Sequence, residues 1–170
     1  FNTPVRYKFL KQDATESKYI KNWVQKAALA NTNISFGLYI DGKQVFKSTG
    51  NGKIEDIIYI LYGKQIQENI IKVDYKYNNM KVTGVIGNTL VSRDNRNGQI
   101  IFLNKRNIKN SILANSIDQA FKGGVGIGKY GFCILNLEIP ANLYDVNVHP
   151  TKMDVRFKNE EEIYRLMYHA

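Results

Sequence analysis

Cysteine is almost absent from this 170-residue chain, and its scarcity excludes several classes of site. Cys133 is the single cysteine, so neither an intramolecular disulfide nor a cysteine-based zinc site can form. The two histidines, His149 and His169, are isolated and lack ligand spacing, so the sequence predicts no metal site. Cys133 lies inside an apolar segment and is expected to be a small core residue, not a nucleophile.

Long apolar runs are missing as well. No stretch reaches the ~18 residues that a membrane helix needs, and the first residues lack the basic and apolar regions of a secretory signal. The chain begins at Phe1 without an initiator methionine, so we expect a piece of a longer protein. Hydrophobic residues make up 44% and charged residues 23% of the chain, which is typical of one globular domain.

Acidic residues are in the minority. Lysine and arginine number 24 against 15 aspartates and glutamates, which gives a formal net charge of +9. Such an excess indicates a polyanionic partner, and nucleic acid is the obvious class. A merely solvated basic surface would have the same composition, so charge leaves both interpretations open.

Hydrophobic periodicity predicts a single α+β domain over residues 1–170, a mixed arrangement of helices and hairpins without repeats. Asp13 and Glu16 are spaced as in a capping box and predict a helix to about Ala30. Its expected apolar stripe comprises Ile20, Trp23, Val24, Ala27 and Ala28. Asp41-Gly42 and Asn78-Asn79 are expected hairpin turns, and Gly63 an expected helix C-cap. The remaining pattern predicts strands at 34–40, 43–47, 70–77, 80–86, 99–104 and 132–139, and helices at 54–61, 108–121 and from 160 onward.

A glycine-rich segment at 123–131 nearly matches a phosphate-binding loop. Gly123, Gly128 and Lys129 have the G-x-x-x-x-G-K spacing, but Tyr130 stands where Ser or Thr should bind Mg²⁺. A predicted helix precedes the segment and a predicted strand follows it, the reverse of the order that phosphate cradling requires. The sequence therefore favours a connecting loop.

Basic side chains cluster where a predicted strand leads into a predicted helix. Lys105, Arg106 and Lys109 lie there, and Arg93 and Arg96 in the preceding loop could extend the patch. Cations at a helix N-terminus oppose the helix dipole, so their clustering there costs some stability and can serve a ligand. Contact with the phosphate backbone of DNA is one interpretation, and a solvated turn is the other.

The segment 147–157 joins an extended X-Pro step to one lysine. Pro150 restricts its own backbone and that of His149, and Lys152 follows two residues later. One ammonium group held at a defined place can neutralise a terminal phosphate during transfer, but the residues alone favour a plain surface lysine. For His149 we expect a structural role instead of base catalysis.

Three segments, FNTPVRYKFL, FLNKRNIKN and DVNVHPTKMDVRF, appear in order and together resemble the MutL family of DNA mismatch-repair proteins. The resemblance covers essentially the whole chain. It implies the transducer domain, the second domain of an N-terminal ATPase region of the GHKL type. The implied fold is a ribosomal-protein-like α/β sandwich with a left-handed βαβ crossover.

The resemblance also implies roles for particular residues. Lys152 matches a lysine that contacts the γ-phosphate of ATP held by the preceding domain, which makes it the expected catalytic and nucleotide-binding residue. Arg106 matches an arginine of a DNA-binding groove, in which Lys105 and Lys109 would add charge. Lys105 replaces the usual Gly of that motif, and Asp154 replaces the usual Glu of the last one. ATP and Mg²⁺ would be bound mainly by the upstream domain, so this chain alone is expected to hold no cofactor and no metal and to be inactive.

Implied partners are DNA, the upstream ATPase domain in cis, a second copy of the full-length protein and other mismatch-repair proteins such as a mismatch-recognition protein. No membrane is implied, and the expected location is the bacterial cytoplasm, near the nucleoid. Two alternatives remain. One is the second domain of a type II topoisomerase ATPase region, which the H-P-x-K string opposes. The other is a stand-alone nucleic-acid-binding module, which Lys152 and the missing initiator methionine oppose.

Overall fold

The computed structural model describes residues 13–146 and 155–170, so His149, Lys152, Asp154 and the first predicted segment lie outside the described residues. The chain divides into two compact units, one ending at Leu61 and the other beginning at Tyr62. The assignment of 1–170 to one domain stays a prediction. No helix among the described residues is long and apolar enough to cross a membrane.

The described part of the first unit begins with helix α1, Asp13–Ala30, which ends at Ala30 as predicted and has Asp13 and Glu16 in its first turn. The capping role of Asp13 stays a prediction. The predicted apolar stripe is partly wrong. Ala28 is buried, whereas Ile20 and Trp23 expose 52% and 71% of their surfaces. Helical periodicity identifies which residues share a face, but it does not show whether another element covers that face.

The β1–β2 hairpin of the first unit confirms the turn at Asp41-Gly42. Strands β1, Gly37–Ile40, and β2, Lys43–Lys47, pair antiparallel. Asp41 and Gly42 take φ of 50° and 74°, the left-handed geometry that a tight hairpin requires. The first strand is shorter than predicted because the amide of Phe36 donates to the Ser48 hydroxyl (2.9 Å) instead of a backbone carbonyl.

Helix α2, Ile54–Tyr62, leads from the first unit into the second, and Gly63 follows it with φ of 85°, as the predicted helix end requires. The remaining elements are helix α3 at Lys64–Gln67, strands β3 at Ile70–Tyr77, β4 at Met80–Gly87, β5 at Gln99–Leu103 and β6 at Arg106–Ile108, helix α4 at Ser111–Ala120, strands β7 at Cys133–Glu138, β8 at Tyr144–Val146 and β9 at Val155–Phe157, and helix α5 at Glu160–His169.

A five-stranded sheet organises the second unit, in the order β3-β4-β7-β5-β6. Strands β5 and β7 are parallel and the other neighbours are antiparallel, so α4 lies within a βαβ crossover. Strands β8 and β9 form a separate antiparallel pair. These elements confirm the predicted mixed α/β fold class, whereas the left hand of the crossover stays a prediction.

One face of this sheet packs against α4 and α5. The two helices also pack against each other, and their apolar side chains share one buried cluster with the sheet. Members of this cluster include Val82, Leu103, Leu113, Ile117, Leu135, Leu137, Ile163, Leu166 and Met167. The core therefore holds the ends of β5, β7 and α4 at fixed relative positions.

The predicted helix at 108–121 begins later than expected. Ile108 belongs to β6, and α4 starts at Ser111 behind its cap, Asn110. Asn104 and Lys105 take φ of 47° and 68°, so the chain reverses in a hairpin before the helix starts. An Asn-Lys pair lacks the glycine that marks most such turns, which is why the sequence pattern did not reveal β6.

Candidate nucleic-acid interface

The basic cluster lies on a β-hairpin and not on a helix end. Lys105 occupies the turn, Arg106 pairs with Leu103 across the hairpin, and Lys109 follows β6. The expectation that these cations lie at a helix N-terminus is therefore wrong for Lys105 and Arg106, whereas Lys109 directly precedes Asn110, the N-cap of α4. Lys105, Arg106 and Lys109 are called the basic hairpin below.

Asn104 anchors the basic hairpin to neighbouring strands. Its side-chain amide donates to the Ile139 carbonyl (2.9 Å) and to the Tyr144 hydroxyl (3.0 Å), and its Oδ1 accepts from the Ile139 amide (3.2 Å). Its own backbone N–H donates to the Leu137 carbonyl at 2.8 Å. These bonds tie the turn to the end of β7 and the start of β8, so an exposed loop tip has a fixed position.

The backbone of the turn is strained at Lys105. This residue has φ of 68°, a left-handed conformation that costs a residue with a side chain roughly 1–2 kcal/mol and glycine nothing. Glycine, which the resemblance leads us to expect at this position, would avoid the strain, and the lysine presents an extra ammonium group instead. The amide of Lys105 donates to Asn136 Oδ1 at 2.9 Å, which stabilises the turn.

All three cations of the basic hairpin are exposed. Within residues 13–146 and 155–170, none of them forms an ion pair, whereas other cations of the second unit do, such as Lys81 with Asp74 at 3.0 Å. The positive charge of the basic hairpin is therefore not neutralised by a described carboxylate. Groups of this kind suit the phosphates of a nucleic-acid backbone.

Arg93 and Arg96 do not extend this patch. They precede β5, whereas the basic hairpin follows it, and a strand of five residues separates the ends by about 13–17 Å. Arg96 Nε donates to Asp118 at 2.9 Å, and this bond raises the pKa of the guanidinium above its ordinary value. The guanidinium groups of Arg93 and Arg96 also lie over the rings of Phe132 and Tyr130.

The Lys152 segment emerges from the β8–β9 pair. Val146 and Val155 are paired at the loop end of this hairpin, so they are the two described residues that flank segment 147–154, and they are called its roots below. The side-chain amide of Asn110 donates to the carbonyl of Val155 at 2.9 Å. The same side chain caps α4, because its Oδ1 accepts from the amides of Ile112 and Leu113 at 3.0 and 3.1 Å.

The structure therefore connects two elements that the sequence pattern left separate. Asn104 and Asn110 bracket the basic hairpin, and each of them bonds to the β8–β9 region. Sequence reasoning matched Asn104 to the middle motif but assigned no bonding role to either asparagine. The sequence could have indicated that Asn110 caps α4, since asparagine before a helical pattern is a strong N-cap. Nothing in the sequence indicates its bond to Val155.

The glycine-rich segment 123–131 lies in the predicted context, after α4 and before β7. Lys129, the cation that a phosphate cradle would need, is paired with Asp94. The hydrogen bond and charge of Lys129 hold the pKa of Asp94 below its usual range. The interpretation as a connecting loop is therefore favoured over phosphate binding.

Cys133 is fully buried in the core of the second unit, as predicted. Burial raises the pKa of its thiol to about 12, so the group is neutral at physiological pH and unreactive as a nucleophile. Among the described residues, no group of three or more His, Cys, Asp or Glu side chains could hold a metal ion.

The family model and the relatives that match this chain are all described as DNA mismatch repair proteins. A family model described as "DNA mismatch repair protein, C-terminal domain" matches residues 58–170. The DNA mismatch repair protein MutL of Clostridium perfringens is 39% identical over all 170 residues. The protein of the same name from Halothermothrix orenii is 42% identical over 96% of the chain. The chain spans about a quarter of the length of these relatives, 25% in both cases.

Solved structures share the fold. A crystal structure titled as the N-terminal domain of a DNA repair protein aligns with 99% of this chain and 56% of its own length, at a TM-score of 0.75 and 24% identity. The Aquifex aeolicus MutL ATPase domain complexed with ADP aligns with 98% of this chain and 53% of its own length, at a TM-score of 0.59 and 19% identity.

Proposed function

This chain belongs to the family of DNA mismatch repair proteins, and from that premise we propose that it is the transducer domain of a MutL-like ATPase. It supplies Lys152 to the γ-phosphate of ATP held by a neighbouring domain, and it contacts DNA through the basic hairpin. One observation carries the proposal. Asn110, which follows the basic hairpin, bonds to Val155, which follows the Lys152 segment, and this bond supports assigning both roles to one part of the fold.

The DNA role rests on charge, exposure and rigidity. Arg106, Lys105 and Lys109 are exposed on an anchored hairpin in a chain of net charge +9. A guanidinium group donates two parallel hydrogen bonds to a phosphate, and lysines add point charges. None of these contacts reads base identity, so binding is expected to depend on salt far more than on sequence.

The nucleotide role rests on Lys152. A lysine ammonium placed at a terminal phosphate stabilises the charge that develops during phosphoryl transfer. Lys152 follows an X-Pro step in a segment whose two roots, Val146 and Val155, are paired strand residues. The restricted backbone of an X-Pro step supports the proposal that this lysine is delivered to a phosphate.

The rest of the nucleotide site belongs to a neighbouring domain. ATP carries the phosphoryl group, and Mg²⁺ would offset its charge there. The described residues offer no carboxylate cluster that could hold Mg²⁺. The solved ATPase domain whose title names ADP has about half its length outside the alignment, which leaves room for such a domain.

The remaining roles follow from the same proposal. ATP binding would draw the two domains together and promote dimerisation of the full-length protein in the cytoplasm, where a mismatch-recognition protein would engage it. The identity of about 40% to mismatch-repair relatives over the full chain favours this assignment over a topoisomerase domain or a stand-alone nucleic-acid-binding module.

A nucleotide-binding comparison tests the proposal. Binding of a non-hydrolysable ATP analogue is measured by calorimetry with this chain alone and with the chain joined to its upstream neighbour. We expect binding only in the joined protein. Tight binding by this chain alone would contradict the two-domain site and favour phosphate binding by segment 123–131.

A further inference from the structure

Helix α1 has a second apolar face besides the one that packs within the first unit. Leu29 is buried, and α1 packs against β1 and β2. At 3.6 residues per turn, four further apolar side chains fall within an arc of about 100° on roughly the opposite side of the helix from Leu29. They are called the α1 stripe below and are Ile20, Trp23, Val24 and Ala27.

The α1 stripe is exposed where its side chains are largest. Ile20 shows 52% of its surface, and Trp23, the only tryptophan of the chain, shows 71%. Val24 and Ala27 are half-buried. Tryptophan stabilises a protein most when it is buried, and adjoining exposed apolar side chains indicate a surface that another protein element covers. The α1 stripe therefore has the character of an interface that the described residues leave uncovered.

The first unit has few buried apolar side chains of its own. Among residues 13–53, those that are buried are Ala28, Leu29 and Phe46. Small units bury too little apolar surface to be stable without further support, such as contact with another domain. A partner on the α1 stripe would add Ile20 and Trp23 to this small core.

The comparisons favour a partner within the longer protein. The family model begins at residue 58 and so omits α1, whereas the Clostridium perfringens relative matches all 170 residues, which are 25% of its length. The solved N-terminal domain of a DNA repair protein has nearly half its length outside the alignment with this chain. Relatives that share α1 therefore have further protein that can cover it.

The chemistry of the α1 stripe selects a protein partner over nucleic acid. Its four side chains carry no charge, whereas contact with phosphates requires cations. The buried centre of a protein interface is apolar and enriched in tryptophan. A neighbouring domain of the same chain also has the advantage of covalent attachment, which raises its effective concentration at α1 above that of a separate molecule.

We infer that the α1 stripe is the surface on which the neighbouring ATPase domain docks. Docking buries Trp23 and Ile20, and it gives the first unit the apolar contacts that its own residues lack. This inference rests on the proposed function, from which it takes the neighbouring domain, and it adds the surface through which this chain contacts that domain.

Thiol labelling tests the inference, because Cys133, the single native cysteine of this chain, is buried. Trp23→Cys introduces a cysteine in the α1 stripe, and Asn22→Cys introduces one at an exposed position on another side of the helix. Each variant is prepared as this chain alone and as the joined protein, in which the upstream neighbour precedes this chain. The rate of reaction with N-ethylmaleimide is measured at each site by peptide mass spectrometry.

We expect the two thiols to react within about threefold of each other in this chain alone, since both positions are exposed. In the joined protein, the Trp23→Cys thiol should react about tenfold more slowly or less, and the Asn22→Cys thiol should keep its rate. Equal rates for the Trp23→Cys thiol in both proteins would overturn the inference. Slowing that appears in this chain alone and grows with its concentration would assign the α1 stripe to a second copy, which also overturns it.

A charge in the α1 stripe gives an independent measurement. Trp23→Glu should lower the Tm of the joined protein by about 4 °C or more, because docking buries an unpaired carboxylate. It should leave the Tm of this chain alone within about 1 °C, and the matched control Asn22→Glu should leave both Tm values within about 1 °C. An equal loss in this chain alone would mean that Trp23 stabilises the first unit itself, and the inference would fail.

Nucleotide binding separates this inference from the function on which it rests. If the joined protein binds a non-hydrolysable ATP analogue while the Trp23→Cys thiol stays reactive, only the inference fails. If that thiol is protected but the joined protein does not bind the analogue, the neighbour docks on α1 and the proposed nucleotide role fails.

Discussion

Asn110 and Val155, separated by 45 positions in the sequence, are joined by a 2.9 Å hydrogen bond from the asparagine amide to the valine carbonyl. This bond connects the end of the basic hairpin to the root of the segment that contains Lys152. Substitutions of Arg106 and Lys152 test the two ends of this connection. Substitutions of Lys105 and Cys133 test the backbone turn and the core.

Replacing Arg106 with glutamate should weaken DNA binding about tenfold or more, because a guanidinium that neutralises a phosphate is replaced by a repulsive carboxylate. The slope of log affinity against log salt should decrease by about 0.9 for each phosphate that is no longer neutralised. Both quantities are measured by fluorescence anisotropy on duplex DNA at several salt concentrations. Lys122→Glu is the matched control, since Lys122 is an exposed cation beyond the other end of α4. An equal effect of both substitutions would show that the basic hairpin acts only as part of the general surface charge and is not a specific DNA contact.

Replacing Lys152 with alanine should lower ATP turnover about 10²- to 10³-fold in a protein that includes the ATPase domain. The reason is the loss of one preorganised donor to the charge of the transferred phosphoryl group. Steady-state phosphate release measures the effect, and Lys158→Ala, an exposed lysine just after β9, is the control. Wild-type turnover in Lys152→Ala would exclude the γ-phosphate role.

Two substitutions of Lys105 separate its charge from its backbone. Lys105→Gly should be more stable than Lys105→Ala by about 0.5–1 kcal/mol, because only glycine adopts a left-handed φ of 68° without strain. The free energy of unfolding in urea measures this difference. Both variants lack the ammonium group and should show the same reduced DNA affinity. Equal stability of the two would mean that the turn is not left-handed in solution.

The buried thiol of Cys133 should make the free energy of unfolding decrease as the pH rises above about 9. Its folded pKa of about 12 lies above the ordinary value of 9.0, so the native thiol stays protonated where the unfolded thiol ionises. The contribution of the thiol to the free energy of unfolding is fully present below about pH 9. It is lost as the pH rises from about 9 toward 12, by at most about 1.4 kcal/mol per pH unit.

Cys133→Ala provides the comparison. This variant should be less stable than the wild type at neutral pH, because a small buried group is removed. Its stability should fall less steeply between about pH 9 and 10.5, measured by urea unfolding. The other titrating groups are common to both proteins and cancel in the difference. Parallel pH profiles would show that the thiol is accessible in the folded state.

Much of this fold was predictable because its signals are local. Left-handed turn residues place the hairpins at Asp41-Gly42 and Asn78-Asn79, and both are present. Apolar periodicity places α2 and the strands β2 to β5 and β7 within a few residues of their observed bounds. The order of three short motifs predicted the family, which the match over residues 58–170 confirms. Each of these signals depends on neighbours within a few residues.

The remaining features depend on interactions between distant residues. The turn before β6 is held by Asn104, whose side chain bonds to residues 35 and 40 positions away. The exposure of Ile20 and Trp23 depends on which elements cover α1, and periodicity does not contain that information.

The sequence by itself therefore determined the family, the fold class and the chemistry of the cations, since residue type and short-range backbone preference decide these. Only the tertiary structure decided that the basic hairpin and the root of the Lys152 segment share one asparagine. The physical reason is that a hydrogen bond across 45 positions forms only after the sheet and α4 have packed together.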